Sequence, residues 1–334
     1  MNFEEYKDWR ENILATHEVP SENRFDCLNP FKAMDFSRRW GNDEHPLQGN
    51  IERAAHAWTE LHFGNLPRSA LHFEPTRGVR SALGALFERM QERGMELWLP
   101  EDVYPFYKQE ATTRTPNLAI RYFKTIPEVD LTEIATASDN AALLITDPLS
   151  PSGLFLGKQE RAKLAAWTKA GRNRWTLFDS VYLYSWRLPE HFVDDMEEAR
   201  FVHLFSMSKS WLLRGVFGFA IGNDEPEAWW KGLDLEPTVE TCTSAIDALC
   251  IDPFMPEAQR KIFNSEWARR EHKLVKYGGN VGDAGSGYFR RVHVNFEKAL
   301  KEDGILVVPA SVFGSSNMDW SIATCLYEAA KSKG

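Results

Sequence analysis

Apolar residues recur at helical spacing in IERAAHAWTELHF from Ile51, condense into the short run Ala70-Leu71-His72-Phe73, and return to helical spacing in GVRSALGALFERMQERG. The alternation then repeats down the chain. MELWLP, NLAIRYF, AALLITDP, RWTLFDS, RFVHLFS and VFGFAIG are short and apolar enough for buried strands, and KQERAKLAAWTKAG between them has a helical stripe. Strands alternating with helices predict an α/β architecture, a mainly parallel central sheet with helices on both faces. Past about Asp224 the pattern changes to long helices, including EAQRKIFNSEWARREHKLVKYG, then YFRRVHVNF, a helix, ILVVP and a last strand and helix around SIATCLYEAAK. That change predicts a smaller α+β domain. The expected divisions are 1–45 as an N-terminal segment, 46–235 as the large domain and 236–334 as the small one. Pro and Gly fall between the periodic runs, and there is no internal repeat or low-complexity stretch.

Composition narrows the function classes. At 334 residues the chain can form a large domain and a companion with a core able to enclose a ligand. Its formal charge of −9 comes from interspersed acidic and basic residues, which offers no footprint for nucleic acid. Cys27, Cys242, Cys250 and Cys325 are scattered and lack histidine partners at ligand spacing, so no metal site and no disulfide framework is expected. The opening MNFEEYKDWRENI is acidic and mixed, and no stretch has the length of a membrane span; the expectation is a cytoplasmic protein without membrane contact.

Chemistry enters with Lys209, which closes the run Phe205-Ser206-Met207-Ser208-Lys209. It stands thirty positions (209 − 179) after Asp179 in Phe178-Asp179-Ser180-Val181-Tyr182. Asp179 follows the apolar run Trp175-Thr176-Leu177-Phe178, so its carboxylate belongs at a strand's carboxyl end, where open α/β sheets bind ligands. A buried lysine there favours its neutral, nucleophilic amine. Upstream stands the turn Asp147-Pro148-Leu149-Ser150-Pro151-Ser152-Gly153. Each piece alone is commonplace, since a serine-x-serine-lysine is usually a strand end and loop. Their order and spacing carry the argument.

Together these parts resemble the fold-type I pyridoxal-phosphate enzymes, and within them the class I/II aminotransferases. The resemblance runs from roughly His45 to Lys331. It implies pyridoxal 5'-phosphate as cofactor, lying between the large domain and a small domain that packs with the N-terminal segment. Lys209 would form its Schiff base, Asp179 would keep the pyridine nitrogen protonated, and Tyr182 would hydrogen-bond the phenolic oxygen. Ser206 would donate to the phosphate. Glu74-Pro75-Thr76-Arg77-Gly78-Val79-Arg80 bridges a strand and a helix, so the amides of Gly78 and Val79 would face the same phosphate, unless this is a plain turn. Tyr104, in Leu99-Pro100 followed by Tyr104-Pro105, matches the ring that lies flat against the pyridine.

The sequence departs from that pattern in four places. His45, in His45-Pro46-Leu47-Gln48-Gly49, stands where relatives carry a tyrosine that reaches the phosphate of a second subunit; a homodimer is expected on that ground. Ser150 replaces an asparagine whose amide donates to the phenolic oxygen, and its shorter hydroxyl reaches there through water. The phosphate-clamping arginine expected eight residues after the lysine is Phe217, which leaves Arg214 as the nearest substitute. The arginine that forks the substrate carboxylate after Pro309-Ala310-Ser311-Val312-Phe313-Gly314 is replaced by Asp319 or Trp320, and no arginine follows Arg291. Arg77 or Arg80 takes over that task, or the substrate has no carboxylate there. Asp319 either meets a cationic group of the substrate or is a surface residue.

The resemblance implies an aminotransferase acting on an amino acid or amine. The departures keep open a lyase, decarboxylase or cyclising enzyme with the same cofactor. A noncatalytic protein of this fold is the third reading, weakened by the joint presence of lysine, aspartate and tyrosine.

Overall fold

Residues 1–18, 71–183, 199–210, 217–223, 228–233, 255–277, 289–324 and 331–332 are described by the computed structural model. The helix expected from Ile51, His45 and Arg214 lie outside these residues.

Helix α1 (Phe3–Thr16) opens with a capping box: the Asn2 side chain accepts from the Glu5 amide, and the Glu5 side chain accepts from the Asn2 amide. It runs into the two-residue strand β1 (His17–Glu18). The described large region then alternates as β2 (Leu71–Thr76), α2 (Val79–Glu92), β3 (Glu96–Pro100), α3 (Phe106–Arg114), β4 (Ala119–Phe123), β5 (Asn140–Thr146), α4 (Lys158–Ala170), β6 (Asn173–Asp179) and β7 (Phe201–Ser206). A helical turn, α5 (Met207–Ser210), and β8 (Gly218–Asn223) follow. Further on come α6 (Met255–Leu274), β9 (Phe289–His293), α7 (Phe296–Asp303), β10 (Val308–Pro309), β11 (Trp320–Thr324) and β12 (Lys331–Ser332).

Seven strands form one sheet in the order β2-β8-β7-β6-β5-β3-β4. Only β8 runs against its neighbours, β2 and β7; the remaining pairs are parallel. The central strands are apolar on both faces because both are covered. Leu97, Leu99, Leu144, Leu177, Val202 and Leu204 pack towards Leu83, Leu86 and Phe87 of α2. Trp98, Leu143, Ile145, Phe178 and Phe205 share the opposite cluster with Leu164 and Trp167 of α4 and with residues of the second sheet. Each large side chain so buried contributes about 1.5–3 kcal/mol.

That second sheet is three-stranded and antiparallel, ordered β10-β11-β9. Helix α1 packs beside it: Trp9 meets Phe296 edge-on at 4.9 Å, and the Tyr6 hydroxyl donates to the Val307 carbonyl at 3.5 Å. The sequence predicts a helix through Lys331, but Lys331 and Ser332 are extended and pair with Glu18 and His17. Backbone partners across the chain decide that end, a constraint invisible to local periodicity.

Register places the future site. Asp179 lies opposite Thr146 on one side and Leu204 on the other, so β5, β6 and β7 end nearly level. Gly218 pairs with both Ser206 and Thr76, which brings the ends of β2 and β7 to the same edge across β8. A Cβ at Gly218 would collide with the Phe205 carbonyl, so glycine keeps this end of the sheet closed.

Candidate active site

The level strand ends gather the polar residues. Asp179 is 2% exposed; its carboxylate accepts from the Tyr107 hydroxyl and, at 3.0 Å, from the Val181 amide. Burial pushes its pKa up to about 6 against the opposing pull of these two donors. Burial and the nearby Asp179 charge also raise the Tyr107 hydroxyl well above its ordinary range. The same two causes raise the Tyr182 hydroxyl.

Tyr107 was not among the expected site residues. The available signal was its spacing: Tyr107 stands three residues after Tyr104, whose carbonyl accepts from the Tyr107 amide at 3.1 Å in the turn that enters α3. Only the strand order, which sets β3 beside β5 and β5 beside β6, shows that α3 reaches Asp179. Tyr104 is 39% exposed, meets Phe3 edge-on at 6.2 Å, and is near enough electrostatically to raise both Tyr107 and Tyr182. One carboxylate and three phenols therefore share this rim.

Lys209 follows directly from β7 on α5, half-buried. Beneath it, the Ser206 and Ser208 hydroxyls are 2.9 Å apart, and the Ser208 amide donates to Ser206 Oγ at 3.3 Å. Across the edge, Gly78 caps α2 with φ 85° and ψ 172°, a conformation that requires glycine. The Gly78 amide donates to Thr76 Oγ1 at 3.2 Å, and no acid stands in the first turn of α2, so the amides that follow, beginning with Val79, keep their partial positive charge.

Ser150 sits in a turn fixed from within. Its amide donates to Thr146 Oγ1 at 2.6 Å, and Asp147 is held by the buried Arg161 guanidinium and, at 3.2 Å, the Leu156 amide. The Ser150 hydroxyl has no hydrogen bond among the described residues. Gly153, at φ +79°, ends the turn against β9, where any Cβ would strike the Phe289 carbonyl. Phe289 in turn presents its ring to Tyr182 at 4.9 Å and 74°.

The second sheet shows where the expected carboxylate anchor went missing. Trp320 opens β11, and Asp319 precedes it, exposed, with its amide bonded to Asn317 Oδ1 at 3.1 Å. The Asp319 carboxylate has no hydrogen bond or ion pair among the described residues. Arg77 and Arg80 are both exposed at the start of α2, with Arg80 over the Phe106 ring at 3.8 Å. Arg291 lies over the Trp320 ring at 4.6 Å.

Among the described residues no cluster of His, Cys, Asp or Glu could hold a metal ion, and no helix is long and apolar enough to cross a membrane. No family model and no curated protein matches the sequence. Solved structures do match. Aspartate aminotransferase of Thermus thermophilus, as a single mutant, is similar with a TM-score of 0.71 at 16% identity, over 97% of this chain and 91% of that one. An Escherichia coli protein identified with a methionine aminotransferase function gives 0.67 at 17% identity, over 90% and 84%. N-succinyldiaminopimelate aminotransferase of Mycobacterium tuberculosis gives 0.65 at 20%, over 88% and 84%. Across nearly its whole length, therefore, this chain has the fold of the fold-type I, class I aminotransferases.

Proposed function

We propose that the chain is a pyridoxal-phosphate-dependent aminotransferase acting on an amino acid or amine. The observation that carries this reading is the buried Asp179, poised at a strand end beside Tyr107 and Tyr182, with Lys209 on the neighbouring strand's exit. A carboxylate whose pKa burial raises to about 6 is a site waiting for a cationic partner, and a protonated pyridine nitrogen is one. The N-terminus of α2 at Gly78 and Val79, which follows Thr76 and so lies near the level of Ser206 across β8, suits a phosphate in the same way, chiefly through the Val79 amide because that of Gly78 donates to Thr76. The residues present fit the cofactor.

Pyridoxal phosphate supplies an aldehyde for the Lys209 amine and a cationic ring that draws electrons from the substrate carbon. Asp179 would hold the proton on the ring nitrogen. Tyr182 and the Ser150 hydroxyl would bind the phenolic oxygen, Tyr104 would lie against the ring, and Ser206 with the helix end at Gly78 and Val79 would hold the phosphate. The Lys209 amine would act as the general base and acid that takes up and returns a proton at the substrate carbon. Tyr107 keeps the Asp179 carboxylate aimed. Arg214 as a phosphate contact, and a homodimer completed near His45, belong to the same proposal.

A second reading, an elimination, decarboxylation or cyclisation with the same cofactor, is favoured by one observation: β11 offers Trp320 and no arginine. Absorption spectroscopy separates the two. The cofactor-loaded chain is titrated with amino acids and amines in the absence of a keto acid, beside Lys209→Ala. Stoichiometric conversion of the Lys209-dependent visible band to the pyridoxamine spectrum is expected for an aminotransferase. Product accumulating over many turnovers while the band returns would select the second reading. The lack of any Lys209-dependent band would remove the cofactor from both.

A further inference from the structure

Strand β9 carries two adjacent arginines with opposite fates. Arg290 is 3% exposed, donates to the Phe289 carbonyl at 2.9 Å and lies over the Trp267 ring. Arg291 is half-buried on the other face and, among the described residues, makes no hydrogen bond and no ion pair. Its neighbours are the Trp320 ring at 4.6 Å and, as a more distant charge, Glu128. A partly desolvated guanidinium with its fork unused is a costly arrangement unless an anion completes it.

Its position says which anion. The antiparallel register sets Ile322 opposite Arg291 and Trp320 opposite His293, so the two-residue period puts Phe289, Arg291 and Trp320 on one face. Phe289 on that face touches Tyr182, and Arg291 lies two residues, about 7 Å, further along the strand. With Arg291 Cζ 4.6 Å from the Trp320 ring centroid and its N–H groups unused among the described residues, the guanidinium can make two parallel N–H bonds to a planar partner, the geometry of a carboxylate.

We infer that Arg291 anchors the substrate's carboxylate, presented from β9 and braced on Trp320. This rests on the proposed function and narrows it: the substrate is an amino acid, or another amine bearing a carboxylate, rather than a simple amine. Asp319 needs no role in recognition, because the anion is met from the neighbouring strand.

The test uses the full chain loaded with pyridoxal phosphate and maleate as a planar carboxylate probe, with its neutral diamide as control, both followed by calorimetry. Arg291→Gln is expected to weaken maleate binding roughly 10- to 100-fold while leaving the diamide unchanged. Arg291→Lys, which keeps the charge and loses the fork, falls between the two. In the unsubstituted protein, maleate should protect Arg291 from phenylglyoxal, read by peptide mass spectrometry, a measurement independent of how the variants fold. Equal maleate affinity in Arg291→Gln, equal modification with and without maleate, or no maleate binding by the parent would each overturn the inference. If maleate binds through Arg291 but no Lys209-dependent band exists, the anion anchor stands and the functional reading falls.

Discussion

The strand ends of the large sheet and the open face of the small one treat charge in opposite ways. Asp179 and Asp147 are answered from inside the protein, the first by Tyr107 and the Val181 amide, the second by Arg161 and the Leu156 amide. Arg291, on the small sheet, meets an indole ring and makes no hydrogen bond or ion pair among the described residues. The first side is held by folding alone. The second is complete only with something bound, so the choice of ligand belongs to it.

The largest break in this comparison should come from Lys209→Ala. With the amine gone, turnover should fall about a thousandfold or more, while thermal stability stays near the parent's, as parallel rate and melting measurements would show.

Asp179→Asn is next. Burial raises the folded-state pKa from 3.8 to about 6, so the native state binds the proton more tightly than the unfolded chain. The associated stability is fully present below about pH 4 and is lost as pH rises through about 6. In the cofactor-free protein, Asp179→Asn should therefore gain about 3 kcal/mol on the parent between pH 4 and pH 7, measured by urea unfolding. Loading with pyridoxal phosphate should erase that gain, because a cation beside the carboxylate lowers its pKa. A gain that survives loading would place the cofactor elsewhere.

Gly153→Ala attacks the seam between the two sides. Positive φ and the collision with the Phe289 carbonyl should cost about 2 kcal/mol in unfolding experiments. Smallest of the four is Tyr107→Phe, which removes one donor from Asp179 and should cost about 1 kcal/mol. The Asp179 pKa should also move above about 6, visible by carboxyl NMR titration, because the lost hydrogen bond was lowering it.

What the sequence made legible follows the same division. β3, β5, β6 and β7 are buried on both faces, so their apolar runs stand out locally. Lys209, Asp179 and Tyr182 end or follow such runs, which is why the sequence singles them out as candidates. Helix α1 is polar along most of its length and docks through Tyr6 and Trp9, so its periodicity is weak; the Asn2 and Glu5 capping pair was its available signal. Tyr107 and Arg291 depend on which strands become neighbours and on the register of β9 against β11. Neither is a property of any short window. Lys331 is extended where local periodicity predicts helix for the same reason, since its partner Glu18 is remote in sequence.

The two-residue ladder between β1 and β12 has a mechanical consequence. It ties α1 to residues 331–332, and α1 carries Phe3, whose ring meets Tyr104 at the rim of the site. Trimming the chain beyond Thr324, or fusing a bulky tag there, would unfasten this clasp and loosen the aromatic rim from a distance. Changes at residues 331–332 are thereby coupled, through a single helix, to Tyr104 at the rim of the candidate site.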